Sequence, residues 1–237
     1  MEKSLNDFIK RIELEYTTVV KVVDKDASNN SNDRAYGGIV RSVKGKLQEH
    51  ITEEIIKFAW VYSGGKLSDI EVNSKKIKIP IRLDYVEKIN DKKIKNYIKS
   101  NIDKYYYNLS VDKQVFYQNQ LIVGIECKAY TENAMLKRIL VDFSLLKTQF
   151  PNMSCYLFQL ESQLGGDYSQ INSITYGSPA THTLMSYFPN VKLHIHTFIK
   201  GERKVDRPIH KYFKPIEKEQ IEKAVLMLSE EFKKVLK

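Results

Sequence analysis

A chain of 237 residues with 42% hydrophobic content carries enough apolar side chain for one large core, and 38 Lys and Arg against 29 Asp and Glu leave a formal charge of +9 that suits a polyanionic partner. No run approaches the ~18 apolar residues that cross a bilayer, and Met1 to Tyr16 is charged throughout, with no signal-peptide core. Two cysteines, Cys127 and Cys155, both in predicted buried strands, exclude a disulfide scaffold or a cysteine-built zinc site and set the expected compartment as a reducing cytoplasm.

Along the chain, Leu5, Phe8, Ile9 and Ile12 recur at helical period and predict a helix over 2–15. Residues 24–38 are polar and rich in Asn and Gly, which predicts a mobile loop. Ile39, Val43, Leu47, Ile51, Ile55, Phe58 and Ala59 trace one stripe of a helix over 39–61, ended by Gly64-Gly65. Ile77 to Leu83 alternates and predicts a strand, with Pro80 arguing for an edge or a bulge. The lysine-rich stretch 86–107 spaces Ile89, Ile94, Tyr97, Ile98 and Ile102 as a helix would. Two strands then flank the polar triplet Gln118-Asn119-Gln120, which predicts a hairpin. Thr131-Glu132-Asn133 caps a helix over 132–149, and Pro151 separates it from a strand over Cys155–Leu160. A last amphipathic helix is expected over about 217–236.

The chemistry sits on the hairpin. Glu126-Cys127-Lys128 ends the apolar run Leu121 to Ile125, and a side-chain period of two puts Glu126 and Lys128 on one face. Near a core such charges need partners or a metal. Asp112 and Glu126 are symmetric about Asn119, so closing the hairpin brings Asp112 to the same place. Two carboxylates there suit Mg²⁺, which takes oxygen ligands, polarises a phosphate and acidifies a bound water. The Cys127 carbonyl could be a further ligand, and the Lys128 ammonium can orient the water and offset charge on the phosphorane. Asp69 and Asp84 stand as alternatives to Asp112 for the first acid. A Glu-x-Lys pair alone is commonly an edge-strand charge pair; the apolar lead-in and the paired aspartate set this one apart.

Asp112…Glu126-Cys127-Lys128 resembles the catalytic motif of the PD-(D/E)xK nuclease superfamily, and the chain as a whole resembles a type II restriction endonuclease. Val111 stands where that motif carries proline. With the lysine-rich insertion set aside, the predicted order over 39–161 agrees with the superfamily's αβββαβ core, an α/β fold with a mixed sheet and helices on both faces. The resemblance implies a Mg²⁺-dependent, sequence-specific endonuclease of double-stranded DNA. Asp112, Glu126 and Lys128 would be catalytic, and Asp112, Glu126 and Cys127 would hold the metal. A glutamate of the first core helix often joins such a site. Glu49 and Glu53 lie four apart on one face, and Glu53 is taken as the candidate. The resemblance also implies a homodimer with one site per strand, and a cognate DNA methyltransferase as genetic partner.

One domain is expected: a core over 39–161, a DNA-recognition region over 162–215 and a C-terminal helix over 216–237. Lys192 to Lys214 holds seven basic residues against Glu202 and Asp206. Arg203, Lys204, Arg207, His210 and Lys211 are the expected DNA contacts, the arginines because a guanidinium fork matches guanine and phosphate acceptors. His194 and His196 share a strand face at a zinc-compatible spacing, but with no carboxylate or cysteine partner near in sequence they are taken as strand histidines that could equally face DNA. Two other readings stay open: a structure-selective or non-specific repair nuclease of the same fold, and a non-catalytic DNA-binding protein.

Overall fold

A computed structural model describes residues 2–29, 34–166, 168, 177–203 and 213–237. In chain order the elements are α1 (Glu2–Asn29), α2 (Arg34–Tyr62), β1 (Ile70–Asn73), β2 (Ile77–Pro80), α3 (Leu83–Glu87), α4 (Lys92–Ser100), β3 (Tyr106–Leu109), β4 (Lys113–Tyr117), β5 (Gln120–Glu132), α5 (Asn133–Lys147), β6 (Ser154–Gln163), α6 (Pro179–Ser186), β7 (Leu193–Thr197) and α7 (Lys218–Val235). Five strands form one mixed sheet in the order β1-β4-β5-β6-β7. β1, β4 and β5 are antiparallel neighbours, while β6 and β7 run parallel to β5.

The sheet alternates its side chains between two apolar layers. Val123, Ile125, Cys127, Tyr156, Phe158 and Leu160 face α1, α2 and α7, whose Ile12, Ile55, Trp60 and Phe232 are fully buried. Cys155, Leu157 and Leu193 face the other way, onto Leu136, Leu140, Phe143 and Leu146 of α5. Helices therefore cover both faces, as expected of an α/β fold. Burying each such large side chain contributes about 1.5–3 kcal/mol, which fixes β5 rigidly between its two layers.

Several elements differ from the sequence reading. The segment expected as a loop over 24–38 is mostly helical: α1 runs on to Asn29 and α2 begins at Arg34, with only 30–33 outside the described residues. Asn and Ser are weak helix formers, yet only proline breaks a helix outright, and this segment has none. The first strand of the main sheet is β1, a four-residue strand too short to register as a pattern, and the segment expected in that role, β2, pairs instead with β3 in a separate two-stranded sheet. The helix expected over 86–107 is broken. Asp91 accepts hydrogen bonds from the amides of Lys93 and Ile94 and so starts a new helix, and Tyr105-Tyr106-Tyr107 leads into a strand, as aromatic residues favour. Residues 74–110 thus form a small body of their own beside the main sheet. At the C-terminal side, β7 is a core strand within the stretch assigned to recognition.

Candidate active site

β4 and β5 close through Gln118 and Asn119, whose φ values of 49° and 61° are both left-handed, the requirement of a tight type I′ hairpin. Tyr117 pairs Gln120 and Phe116 pairs Leu121, but Val115 pairs Val123, so Ile122 is an extra residue, a β-bulge. From there Lys113 pairs Ile125, and one more step of the same register sets Asp112 opposite Glu126.

There the expected residues meet. The Lys128 ammonium donates to Asp112 Oδ2 at 2.8 Å, to Glu126 Oε2 at 2.5 Å and to the Cys127 carbonyl at 3.1 Å. Asp112 Oδ2 also accepts from the Cys127 amide at 2.8 Å, which ties the residue before β4 to the centre of β5. Glu126 is only 7% exposed. Burial pushes its carboxyl up to about 7 against the pull of Lys128, and the Asp112 charge adds to the rise. Burial also acts to lower the Lys128 ammonium, but the two carboxylates more than offset it and raise its pKa. The Cys127 thiol points to the opposite layer, against Thr52 Oγ1 of α2 at 3.4 Å. Asp69 and Asp84 lie elsewhere: Asp69 accepts from Ser68, and Asp84 is held by Arg82 on the exposed surface.

From α2, Glu53 accepts from Lys113 at 2.7 Å and Lys57 at 2.6 Å, and these hydrogen bonds hold its carboxyl down at about 2. Glu49, one turn earlier, has its carboxyl raised by partial burial and then by the charge of Asp112, while Lys113 and Lys128 pull it down. Glu49 thus shares the electrostatic field of the cluster, and Glu53 is committed to two lysines.

The cluster forms the floor of a cleft of about 470 Å³. Tyr107, Asn108 and Ser110 line one wall, and Met135, Arg138, Ile139 and Asp142 of α5 line the other. Arg138 Nε lies 3.6 Å from Asp142 Oδ2, with the arginine side chain 85% exposed and the aspartate 14%. Burial raises the Asp142 carboxyl, while Arg138 and Lys128 draw it down. Sequence reasoning missed both. Their spacing of four on a helix was the available signal, one that many surface ion pairs share.

The expected DNA contacts divide. Arg203 is described: its guanidinium stacks 3.8 Å from the ring centre of Tyr130, two residues beyond Lys128 on β5, and its amide donates to the Ser162 carbonyl. Lys204, Arg207, His210 and Lys211 lie outside the described residues. The two histidines lie on strand β7, as expected. His196 is fully buried between Phe158 and Phe198, with Nε2 2.9 Å from the Gln220 carbonyl, and His194 stacks on Tyr156. Burial lowers both pKa values, that of His196 to about 4. His196 ties β7 to α7, while His194 is exposed on the edge strand and rests on Tyr156.

No family model matches the chain. It is 53% identical over 240 residues to the type II restriction enzyme DdeI of Desulfomicrobium norvegicum, across 99% of this chain and 100% of that protein. The chain belongs to the type II restriction enzymes. As a type II restriction enzyme it is a site-specific deoxyribonuclease that hydrolyses phosphodiester bonds of double-stranded DNA. Among solved structures, a chain of the "native BbvCI A2B2 tetramer at low resolution" aligns at 10% identity and a TM-score of 0.40, over 100% of this chain and 91% of that one, too slight a likeness to argue from. No helix among the described residues of this restriction enzyme is long and apolar enough to cross a membrane.

Proposed function

We propose that this restriction enzyme cleaves DNA at the cluster of Asp112, Glu126 and Lys128, by the metal-assisted hydrolysis of the PD-(D/E)xK nucleases. The observation that carries the reading is the convergence of three oxygens, from Asp112, Glu126 and the Cys127 carbonyl, on one ammonium. A point already gathered by three oxygens is where a hard divalent cation finds its preferred ligands. Among the described residues no three His, Cys, Asp or Glu side chains group as metal ligands. The proposed set is therefore two carboxylates and a carbonyl completed by water, which suits Mg²⁺ because that ion keeps several waters. Bound there, Mg²⁺ supplies Lewis acidity toward the phosphate and an acidified water.

The protein's own groups do the rest. Asp112 and Glu126 hold the ion, and the Cys127 amide keeps Asp112 in place. Lys128 orients the attacking water and offsets the charge that builds on the phosphorus oxygens. Arg138, on the facing wall, meets the phosphate as it enters. Of the α2 glutamates, Glu49 is the stronger candidate to complete the ion's surroundings and Glu53 the weaker, since Lys113 and Lys57 already occupy its carboxylate. Arg203, with Lys204, Arg207, His210 and Lys211, is assigned to DNA contact on charge. Cleaving both strands needs two such sites, which supports a two-fold homodimer. A cognate methyltransferase would shield the host's own sites, in the cytoplasm where its DNA lies.

Digestion of plasmid DNA in Mg²⁺ tests the reading. Discrete fragments with 5′-phosphate ends are expected, and Asp112→Ala should bind DNA without cutting it. Smears or structure-selective nicks would favour a repair nuclease, and binding with no product would contradict catalysis altogether.

A further inference from the structure

Residues 74–110 hold ten Lys and Arg against four Asp and Glu, a surplus of six in a chain whose total surplus is nine. The acids are largely occupied: Asp84 by Arg82, Glu87 by Lys99, and Asp91 by the amides that start α4. Among the described residues, Lys76, Lys88, Lys92 and Lys93 are exposed with no carboxylate partner, and three of these fall within six positions at the α3–α4 turn. The same small body exposes aromatic rings: Tyr85, Tyr97 and Tyr107 are 59%, 64% and 59% exposed. A concentration of exposed apolar rings marks an interaction surface.

The body adjoins the chemistry. Tyr107, Asn108 and Ser110 form one wall of the catalytic cleft, and Tyr107 also lines an apolar recess of about 430 Å³ with Ile79, Pro80 and Leu145. A strand of DNA seated on Asp112, Glu126 and Lys128 therefore lies against the β3 wall of the cleft, which belongs to this body. Its charge decides between partners. A second copy of the chain would bring two surfaces of like sign together, each with a surplus of six, whereas duplex DNA presents a line of phosphates to the lysines and sugar edges to the tyrosines.

We propose that residues 74–110 are a DNA-gripping arm of the enzyme. The lysines at the α3–α4 turn neutralise phosphates of the duplex flanking the scissile bond, and Tyr107 lies against the nucleotide beside it. The proposal rests on the cluster of Asp112, Glu126 and Lys128 being the place of cleavage. The arm supplies grip independent of sequence, and so adds to the base-reading assigned to the region around Arg203.

The test uses the full chain carrying Glu126→Gln, so that DNA is bound and not cut. Fluorescence anisotropy on two duplexes, one with the site mapped by plasmid digestion and one without it, is followed across a salt series. Lys88→Gln, Lys92→Gln and Lys93→Gln together should weaken binding to both duplexes tenfold or more at moderate salt. They should also flatten log Kd against log salt by about 0.9 for each phosphate that is no longer neutralised. Lys233→Gln with Lys237→Gln, which removes charge at the far end of α7, should change neither. Unaltered affinity and slope in the triple variant would overturn the proposal. So would a shift in sedimentation for Tyr97→Ala or Tyr107→Ala, which would make the surface a subunit interface. A triple variant indistinguishable from its parent, beside a Glu126→Gln enzyme that no longer cuts plasmid, removes the arm alone; a Glu126→Gln enzyme that still cuts plasmid removes the catalytic reading beneath it.

Discussion

Cys127 shows how one residue serves two layers. Its amide and carbonyl bind Asp112 and Lys128, while its thiol points away into the α2 layer and touches Thr52. Burial raises that thiol's pKa, so it stays protonated and unreactive. Backbone chemistry survives a side-chain change. Cys127→Ala should therefore keep cleavage within a few-fold of the parent while lowering unfolding free energy by about 1 kcal/mol, read from urea melts beside single-turnover rates. A hundredfold loss of cleavage with unchanged stability would mean that the thiol itself takes part. The three charged residues were legible because Glu-x-Lys follows an apolar run and a carboxylate mirrors it across the hairpin. The choice between Glu49 and Glu53 was not, because residues four apart share a helix face and the hydrogen bonds of Lys113 and Lys57 to Glu53 separate their roles.

At the scale of the element, the hairpin brings Asp112 to Glu126 by a route the sequence does not display. Counting from Asn119 gives the right pairing, yet the turn consists of two residues, Gln118 and Asn119, and its centre lies half a residue earlier. The bulge at Ile122 supplies the missing step. Without it Asp112 would face Ile125, whose side chain points to the α2 layer, and the two carboxylates would sit out of register. Deleting Ile122 should therefore abolish plasmid cleavage while circular dichroism still reports the mixed α/β fold. Retained cleavage would show that the register is not what assembles the site. Long amphipathic stretches such as α2 and α5 were readable from period alone. β1 and β3, four residues each, were not, since so short a strand is defined by its partner and not by its own pattern.

Across the whole molecule, His196 joins β7 to α7 through the Gln220 carbonyl and is kept neutral by burial. Its folded pKa of about 4 lies below the ordinary 6.5. The unfolded chain then binds the proton more readily, so stability is full above 6.5 and is lost as pH falls toward 4. The loss amounts to about 3 kcal/mol at most. Urea midpoints at about pH 7.5 and about pH 5 should show the drop, and His196→Gln should remove most of the difference between them. An equal pH dependence in that variant would place the sensitive group elsewhere. Composition indicated the class of partner, since a surplus of nine positive charges fits DNA. What its distribution means was less legible: the stretch from Lys192 read as a recognition surface contains the core strand β7, and the lysine-rich stretch read only as a helix belongs to the body over 74–110.

In the mechanism proposed above, two carboxylates and a lysine on one hairpin act as a single metal-dependent cleavage centre. Single-turnover cleavage in Mg²⁺ by Glu126→Gln, compared with the parent on the same plasmid, tests it most directly. The expected rate is at least a thousandfold lower, on the order of 4 kcal/mol of lost transition-state stabilisation, with DNA still bound. A variant that cuts within tenfold of the parent would contradict it.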